Sequence, residues 1–125
     1  MIITETSSRV NFVDKNDNFV GYSLARQCCE NAWYEVVRIT YEGSKEVDND
    51  YISDDAWIHL GLLEANPDYD SDHLPDSDYE NTEIFVVQNE ETLEVVYICL
   101  YNMHNGYYAH VFEWNINTNK GRSYL

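Results

Sequence analysis

Short runs of alternating hydrophobic and polar residues occupy the first third of this chain and predict β-strands there. Over residues 9–22, Val10 and Phe12 alternate with polar neighbours, an Asn/Asp-rich stretch follows, and a second run ends at Tyr22. Two such runs around a polar turn are typical of a β-hairpin. Residues 34–42 are β-branched and aromatic, which favours a third strand.

The last third predicts three more strands. Residues 83–88 form one, and residues 93–103 form a second that is apolar on both faces, as a central strand of a sheet is. The dipeptide Asn105-Gly106 is a frequent hairpin turn and precedes a third run over 107–116. The patterning therefore predicts an antiparallel arrangement at this end of the chain.

Helical spacing in the middle of the chain predicts two α-helices. Leu24, Cys28 and Ala32 stand four residues apart and indicate a short helix over 24–32. Residues 53–66 begin with a capping Ser and two acids, contain apolar positions around Trp57 and end before a Pro, which indicates a second helix. The order β-β-α-β-α-β-β-β predicts a single α+β domain over residues 1–125, with an antiparallel sheet packed by two helices.

The excess of acidic over basic residues limits the kinds of binding partner that we expect. Seven basic residues face twenty-three acidic ones, for a net charge of −16. DNA or RNA polymers require many Lys and Arg for phosphate neutralisation, so we expect neither as a partner. The longest apolar runs fall far short of the ~20 residues of a membrane helix, and the start lacks the apolar stretch of a signal peptide, so we expect a cytoplasmic protein without membrane contact.

Metal, cofactor and catalytic motifs are weak. Residues 14–18 and the acidic loop, predicted over 66–82, contain calcium-loop spacing, but Phe19 and His73 stand where such a loop requires Gly. The four histidines do not predict the three or four convergent ligands of a zinc site. Nucleophile-elbow and phosphate-loop motifs are absent, and the odd count of three cysteines predicts reduced thiols. We therefore expect no metal, no cofactor and no enzymatic activity.

Two segments are rich in hydrogen-bonding and aromatic groups. The first runs from Arg26 to Glu30 and the second from Asn102 to Tyr108. Arg26 and Glu30 are compatible with a simple intrahelical ion pair, and the two tyrosines of the second segment with one core ring and one surface ring. The alternative is a small-molecule pocket, in which rings stack on a base, amides contact its polar edges and Arg holds phosphate.

Three stretches resemble the phage anti-Thoeris sponge family: VNFVDKNDNFVGY, QCCEN and LYNMHNGYYAHVFE. The resemblance covers the N-terminal third and the late hairpin, and the middle, 43–82, has no counterpart. It implies a protein of the host bacterial cytoplasm that binds glycocyclic ADP-ribose signals made by TIR-domain enzymes and holds them intact. It also implies pockets at a homodimer interface, and in some members higher assembly with separate pockets for cyclic oligonucleotides.

The resemblance implies arginines for the phosphates, a ring for the adenine and an asparagine. Phe85 and Asn102 are chosen for the chemistry of their side chains and for their neighbourhood in the sequence. Arg122 is chosen as a second arginine for the phosphates. The predicted ligand-binding residues are Arg26, Phe85, Asn102, His104, Asn105, Tyr107, Tyr108 and Arg122. The predicted function is a non-enzymatic sponge for a cyclic ADP-ribose-type nucleotide, and the alternative, favoured by the charge, is an acidic protein–protein inhibitor or nucleic-acid mimic.

Overall fold

Two antiparallel β-sheets stack face to face in the computed structural model of the protein. The described residues are 1–25, 30–75, 81–104 and 109–125, with the side chains of Glu30 and His104 left out. Sheet A has the strand order β1-β2-β3-β9-β10 and sheet B the order β5-β4-β8-β7-β6. Neighbouring strands are antiparallel throughout the described parts of both sheets.

Each sheet combines strands from both halves of the chain. The strands of sheet A are β1 (Ile2–Glu5), β2 (Arg9–Val13), β3 (Phe19–Ser23), β9 (Val111–Ile116) and β10 (Asn119–Tyr124). The strands of sheet B are β4 (Glu30–Ile39), β5 (Lys45–Val47), β6 (Trp57–Leu62), β7 (Asn81–Asn89) and β8 (Val95–His104). Two short 3-10 turns, Leu63–Ala65 and Pro67–Tyr69, follow β6.

The main core lies between the two sheets. Alternate residues of each strand point inward, as the two-residue period of a strand requires. The inner face of sheet A contributes Phe12 and Tyr22, and that of sheet B contributes Phe85, Ile98 and Leu100, all fully buried. Burying each large apolar side chain stabilises the fold by roughly 1.5–3 kcal/mol, so this layer is the main source of stability.

The predicted α+β fold with two packing helices is wrong, because the described parts of both predicted helices are strand, irregular chain or, at Leu63–Ala65, a short 3-10 turn. Ala32 lies in β4, where the backbone pairs with β8 and the side chain is buried between the sheets. Residues 26–29 of that predicted helix lie outside the described residues. Trp57–Leu62, the predicted second helix, is an edge strand of sheet B whose Trp57 and His59 are buried.

The predicted strands are confirmed in part. The hairpin of β2 and β3 has the expected antiparallel register, and β7, β8 and β9 overlap the predicted runs. Strand β4 starts at Glu30, inside the first predicted helix, and ends at Ile39. The hairpin predicted through Asn105-Gly106 is wrong, because β9 pairs with β3 in sheet A and β8 pairs with β4 and β7 in sheet B. Strands β1, β5 and β10 were not predicted, since they are short or rich in polar residues. Within the described residues, the helical segments are too short and too polar to span a lipid bilayer.

A buried carboxylate ties the two sheets together. Asp14, which follows β2, is 4% exposed, and its Oδ1 accepts the backbone N–H groups of Asn16 at 2.9 Å and Asn18 at 3.0 Å. Its Oδ2 accepts the backbone N–H of His59 at 2.9 Å, from β6 of the other sheet. The His59 ring donates from Nε2 to the Phe12 carbonyl at 2.9 Å, and burial lowers the pKa of this imidazole and keeps it neutral.

The same contacts explain the calcium-like spacing at residues 14–18. The Asp14 carboxylate is occupied by backbone N–H groups, which organise the turn between β2 and β3. No group of three or more metal-ligating side chains occurs in the part of the chain that the structure describes. The spacing therefore serves a structural turn here.

Replacing Asp14 tests this tie. The substitution Asp14→Ala leaves three N–H groups without their acceptor, one of them buried, and we expect it to reduce the free energy of unfolding by about 3 kcal/mol. Asp14→Asn keeps one acceptor oxygen and is expected to cost less. Urea unfolding monitored by Trp fluorescence measures both, with Asp72→Ala, an exposed acid, as the control. Equal losses for Asp14→Ala and the control would contradict the assignment.

Candidate functional site

The strand register brings together the two segments that the sequence singles out. In the β4–β8 ladder Glu30 pairs with His104, and Asn31 with Met103. Residues 26–29 directly precede β4 and residues 105–108 directly follow β8, so the described ends of both segments lie on adjacent strands, which are about 4.8 Å apart in a sheet. Segments far apart in the chain therefore meet at one end of sheet B.

Asn102 is the predicted site residue that the structure describes at this end. Its side chain is 1% exposed and lies on the inner face of sheet B, where its Nδ2 donates to the Leu125 carbonyl at 3.1 Å. Its Oδ1 has no hydrogen-bond partner among the described residues. A buried amide oxygen without a donor is costly, so Asn102 retains an acceptor that a ligand N–H could satisfy.

Cross-sheet hydrogen bonds hold this end in place. Tyr22 donates from its hydroxyl to the Tyr101 carbonyl at 2.7 Å, which links β3 to β8. His110 is 2% exposed and donates from Nδ1 to the Ser23 carbonyl at 2.8 Å, while its backbone exchanges two hydrogen bonds with Leu125. His110 is thus a buried, hydrogen-bonded residue that links Ser23, at the end of β3, to Leu125.

An aromatic pair that sequence reasoning missed lies on the opposite face of sheet B near the same end. Trp33 and Tyr101 are register partners, and their rings stack with centroids 4.9 Å apart and planes 17° apart. Tyr101 is 3% exposed, whereas Trp33 is half-buried and keeps ring surface open to solvent. The available signal was the position of Trp33 beside the QCCEN motif in an aromatic, β-branched stretch.

Phe85 does not lie with these residues. Its ring is fully buried between the sheets and packs edge-on against Phe112, with centroids 6.1 Å apart. Its register partner is Ile98, four residues before Asn102 on β8 and so roughly 13 Å from it along the strand. The ring is part of the core and presents no surface for a ligand to stack on.

Arg122 lies on the other sheet. It is exposed on β10 and pairs in register with Glu113 on the outer face of sheet A, whereas Asn102 lies on the inner face of sheet B. The backbone of His104 ends β8, and its side chain is outside the description. The remaining predicted site residues lie outside the described residues: Arg26, Asn105, Tyr107 and Tyr108.

Ion pairs occupy most of the described bases. The pairs are Arg9–Glu113, Lys15–Glu90, Arg38–Glu46 and Lys45–Glu35. All four are at least partly exposed, where such pairs contribute little to stability. These ion pairs matter more for the binding of anions, because they leave Lys120 and Arg122 as the bases without a carboxylate partner in the described part of the chain.

A groove of about 410 Å³ beside β7 is lined in part by titratable side chains. Leu63, Leu74 and Ile84 form its apolar lining, and Glu64 and Glu83 are its neighbouring carboxyls. Burial, reinforced by the nearby Glu64, raises the pKa of Glu83 to about 7. The folded protein therefore holds a proton on Glu83 more tightly than an ordinary Glu does.

The Glu83 shift predicts a pH-dependent difference in stability. Above pH 7 the folded protein bears the cost of a charged, partly buried carboxylate, which Glu83→Gln removes. We expect this variant to be more stable than the wild type at pH 8 by up to about 2 kcal/mol, because the carboxyl keeps some contact with water. As the pH falls from 7 towards 4.5, Glu83 of the wild type is protonated in the folded state but still largely charged in the unfolded state. The difference in stability between the wild type and Glu83→Gln should therefore shrink.

Thermal or urea unfolding of both proteins at several pH values measures this difference. Glu91→Gln, at an exposed Glu, is the control and should show no comparable trend. A constant difference between pH 8 and pH 4.5 would contradict the assignment.

Comparison of the chain with protein-family models, with curated proteins and with solved structures found no match.

Proposed function

We propose that this protein is a non-enzymatic sponge that binds and sequesters a cyclic ADP-ribose-type nucleotide in the host bacterial cytoplasm, and so blocks a TIR-based defence. The observation that supports the proposal is the pairing of Glu30 with His104, which brings together the described ends of two of the three stretches that resemble the sponge family.

The proposed division of labour follows from side-chain chemistry. Arg26 supplies charge-assisted hydrogen bonds to the pyrophosphate, and Tyr107 or Tyr108 stacks on the base. Asn102 offers its Oδ1 to an N–H group of the ligand. This scheme needs no general base and no nucleophile, in keeping with a ligand that is held and released intact.

The energies indicate an enclosed pocket. Charge-assisted hydrogen bonds contribute ~1.5–3 kcal/mol each and base stacking ~1–3 kcal/mol. Nanomolar binding requires ~12 kcal/mol net, which a few such contacts on one open surface do not reach. A pocket completed by a second copy of the chain, in a homodimer or larger assembly, excludes water and adds contacts.

The net charge of −16 opposes an anionic ligand only at long range. The Debye length is ~8 Å at physiological ionic strength, so carboxylates beyond that distance are largely screened. Affinity then depends on the donors in direct contact with the phosphates. Binding should weaken less with salt than binding to a basic polymer-binding surface does.

Arg26→Ala tests the site. Loss of the phosphate contact should reduce the affinity for the nucleotide at least about tenfold, a change of about 1.4 kcal/mol. Isothermal titration calorimetry with cyclic ADP-ribose and its glycocyclic isomers measures this. The matched control is Arg38→Ala, which removes the same charge from a guanidinium already paired with Glu46. Unchanged affinity in folded Arg26→Ala protein, or equal losses in both variants, would remove Arg26 from the site.

The fate of the ligand separates the sponge from other functions. The protein is incubated with the product of a TIR-domain enzyme, filtered and heat-denatured, and the released nucleotide is analysed by mass spectrometry. Release of the intact nucleotide supports the sponge. Release of an altered nucleotide would identify a hydrolase, and no release at all would contradict nucleotide binding.

A second candidate function is an acidic protein–protein inhibitor or nucleic-acid mimic. It is favoured by the charge of −16 together with the four ion pairs, which neutralise most described bases and leave the acids in excess. Salt-sensitive capture of a basic host protein, with no nucleotide released on denaturation, would support this function over the sponge.

A further inference from the structure

The outer face of sheet A differs in charge from the rest of the molecule. Inward side chains of its strands form the core, so the alternate residues of β2, β3, β9 and β10 face outward. On this face lie Arg9, Lys120 and Arg122, three of the seven bases of the chain. Glu113 is the one acid among the outward residues of these described strands. We call this surface the basic face.

Arg9 is fixed against the sheet by its neighbours. Its Nε donates to Asn11 Oδ1 at 2.8 Å, and its Nη2 pairs with the Glu113 carboxylate. The guanidinium lies over Gly21, where a Cβ would be only 2.2 Å from Nη2. Gly21 thus allows Arg9 to lie flat on the sheet and to neutralise Glu113. Arg122, the register partner of Glu113, is then left without a carboxylate partner, and we call it a surplus charge.

The surplus charges lie on an edge strand. β10 is the last strand of sheet A, and five of its six residues are exposed. Lys120 and Arg122 are two residues apart, so both point to the outer face with a spacing of about 6.8 Å. Tyr124 continues the same row and is 60% exposed, which adds an apolar ring beside the two bases.

An extended peptide matches this arrangement. A strand that pairs with β10 would satisfy backbone groups left free at the sheet edge and would place its own alternate side chains about 4.5–5.5 Å from Lys120 and Arg122. Carboxylates at alternate positions would therefore meet both bases at once. A second β10 would bring like charges together, so the basic edge disfavours pairing with itself.

We propose that the free edge of β10 binds an extended acidic segment of a partner protein, which adds a strand to sheet A with carboxylates opposite Lys120 and Arg122. Two exposed bases are too few for the phosphate contacts of a nucleic acid. Lys120 and Arg122 lie on the outer face of sheet A, whereas Asn102 lies on the inner face of sheet B, so the two proposals are tested with different variants and either can fail alone.

Strand β5 is a matched control within the same chain. It is also an edge strand, in sheet B, and it also carries a base, Lys45. Lys45 is paired with Glu35 at 3.4 Å and Arg38 beside it with Glu46, so neither is a surplus charge. Loss of two charges at this edge should therefore not affect acidic-peptide binding.

The probe is a fluorescein-labelled peptide of five alternating Glu-Thr pairs, with a peptide of five Glu followed by five Thr as the composition control. Fluorescence anisotropy at about 50 mM salt should show the alternating peptide binding at least about fivefold more tightly, and about 500 mM salt should weaken it. The double variant Lys120→Gln/Arg122→Gln should lose at least about tenfold in affinity, whereas Lys45→Gln/Arg38→Gln should change it less than about twofold. Amide hydrogen exchange should show added protection in β10.

Four results would overturn the proposal. One is equal binding of the alternating and block peptides, because strand addition requires alternation. Another is an equal loss in the β5 control, which would indicate general charge attraction. The third is tighter binding of a ten-nucleotide oligothymidine than of the alternating peptide, which would identify a nucleic-acid surface instead. Absence of any peptide binding at low salt would also contradict it.

Discussion

The pairing of β4 with β8 is the constraint on which the rest of the structure depends. Eight register pairs run from Glu30–His104 to Val37–Tyr97 and fix the centre of sheet B. Because side chains alternate along a strand, this register assigns Ile98 and Leu100 to the core between the sheets and Cys99 to the opposite face. A slip of one residue would exchange the two sets, so the burial of both faces selects a single register.

Both faces of sheet B are buried because a third layer covers the outer face, and the described residues of this layer form no α-helix. The outer face of sheet B is covered by the segment that includes the two 3-10 turns, with Tyr69 and Leu74 packed against it. The Tyr97 hydroxyl donates to the Tyr69 carbonyl and anchors this cover. Cys99 beneath it is fully buried, and burial raises the pKa of its thiol to about 12, so this cysteine is a small core residue rather than a nucleophile.

The error in the second predicted helix has a local cause at β6. The register of β6 against β7 jumps between His59 and Gly61, so the ladder contains a bulge at Leu60. Before it Trp57 and His59 are buried, and after it Leu62 packs against the core. The resulting spacing imitates the spread of apolar residues on a helix, and the sequence alone does not reveal a bulge.

Strands without such an interruption were predictable. Both faces of β8 are apolar and indicated a central strand, and alternation in β2 and β3 indicated the hairpin. The residues of β10 are mostly polar or small and do not alternate with large apolar residues. The hydrophobic pattern therefore did not indicate a strand there. For the site, the sequence placed Asn102 at the start of the second segment, and its role in binding stays a prediction. The sequence could not show that Phe85 is a core ring or that Arg122 belongs to the other sheet.

Charge placement, rather than net charge, determines what this protein can bind. A total of −16 disfavours binding to a nucleic-acid polymer, and pairing of four of the described bases with carboxylates confines attraction for anions to a few positions. Charges farther away than ~8 Å are largely screened at physiological ionic strength, so a small phosphorylated ligand would need only one such position together with a closed pocket. Both proposals therefore rest on the local charge geometry, at the end of sheet B and at the edge of sheet A, and much less on the field of the whole molecule.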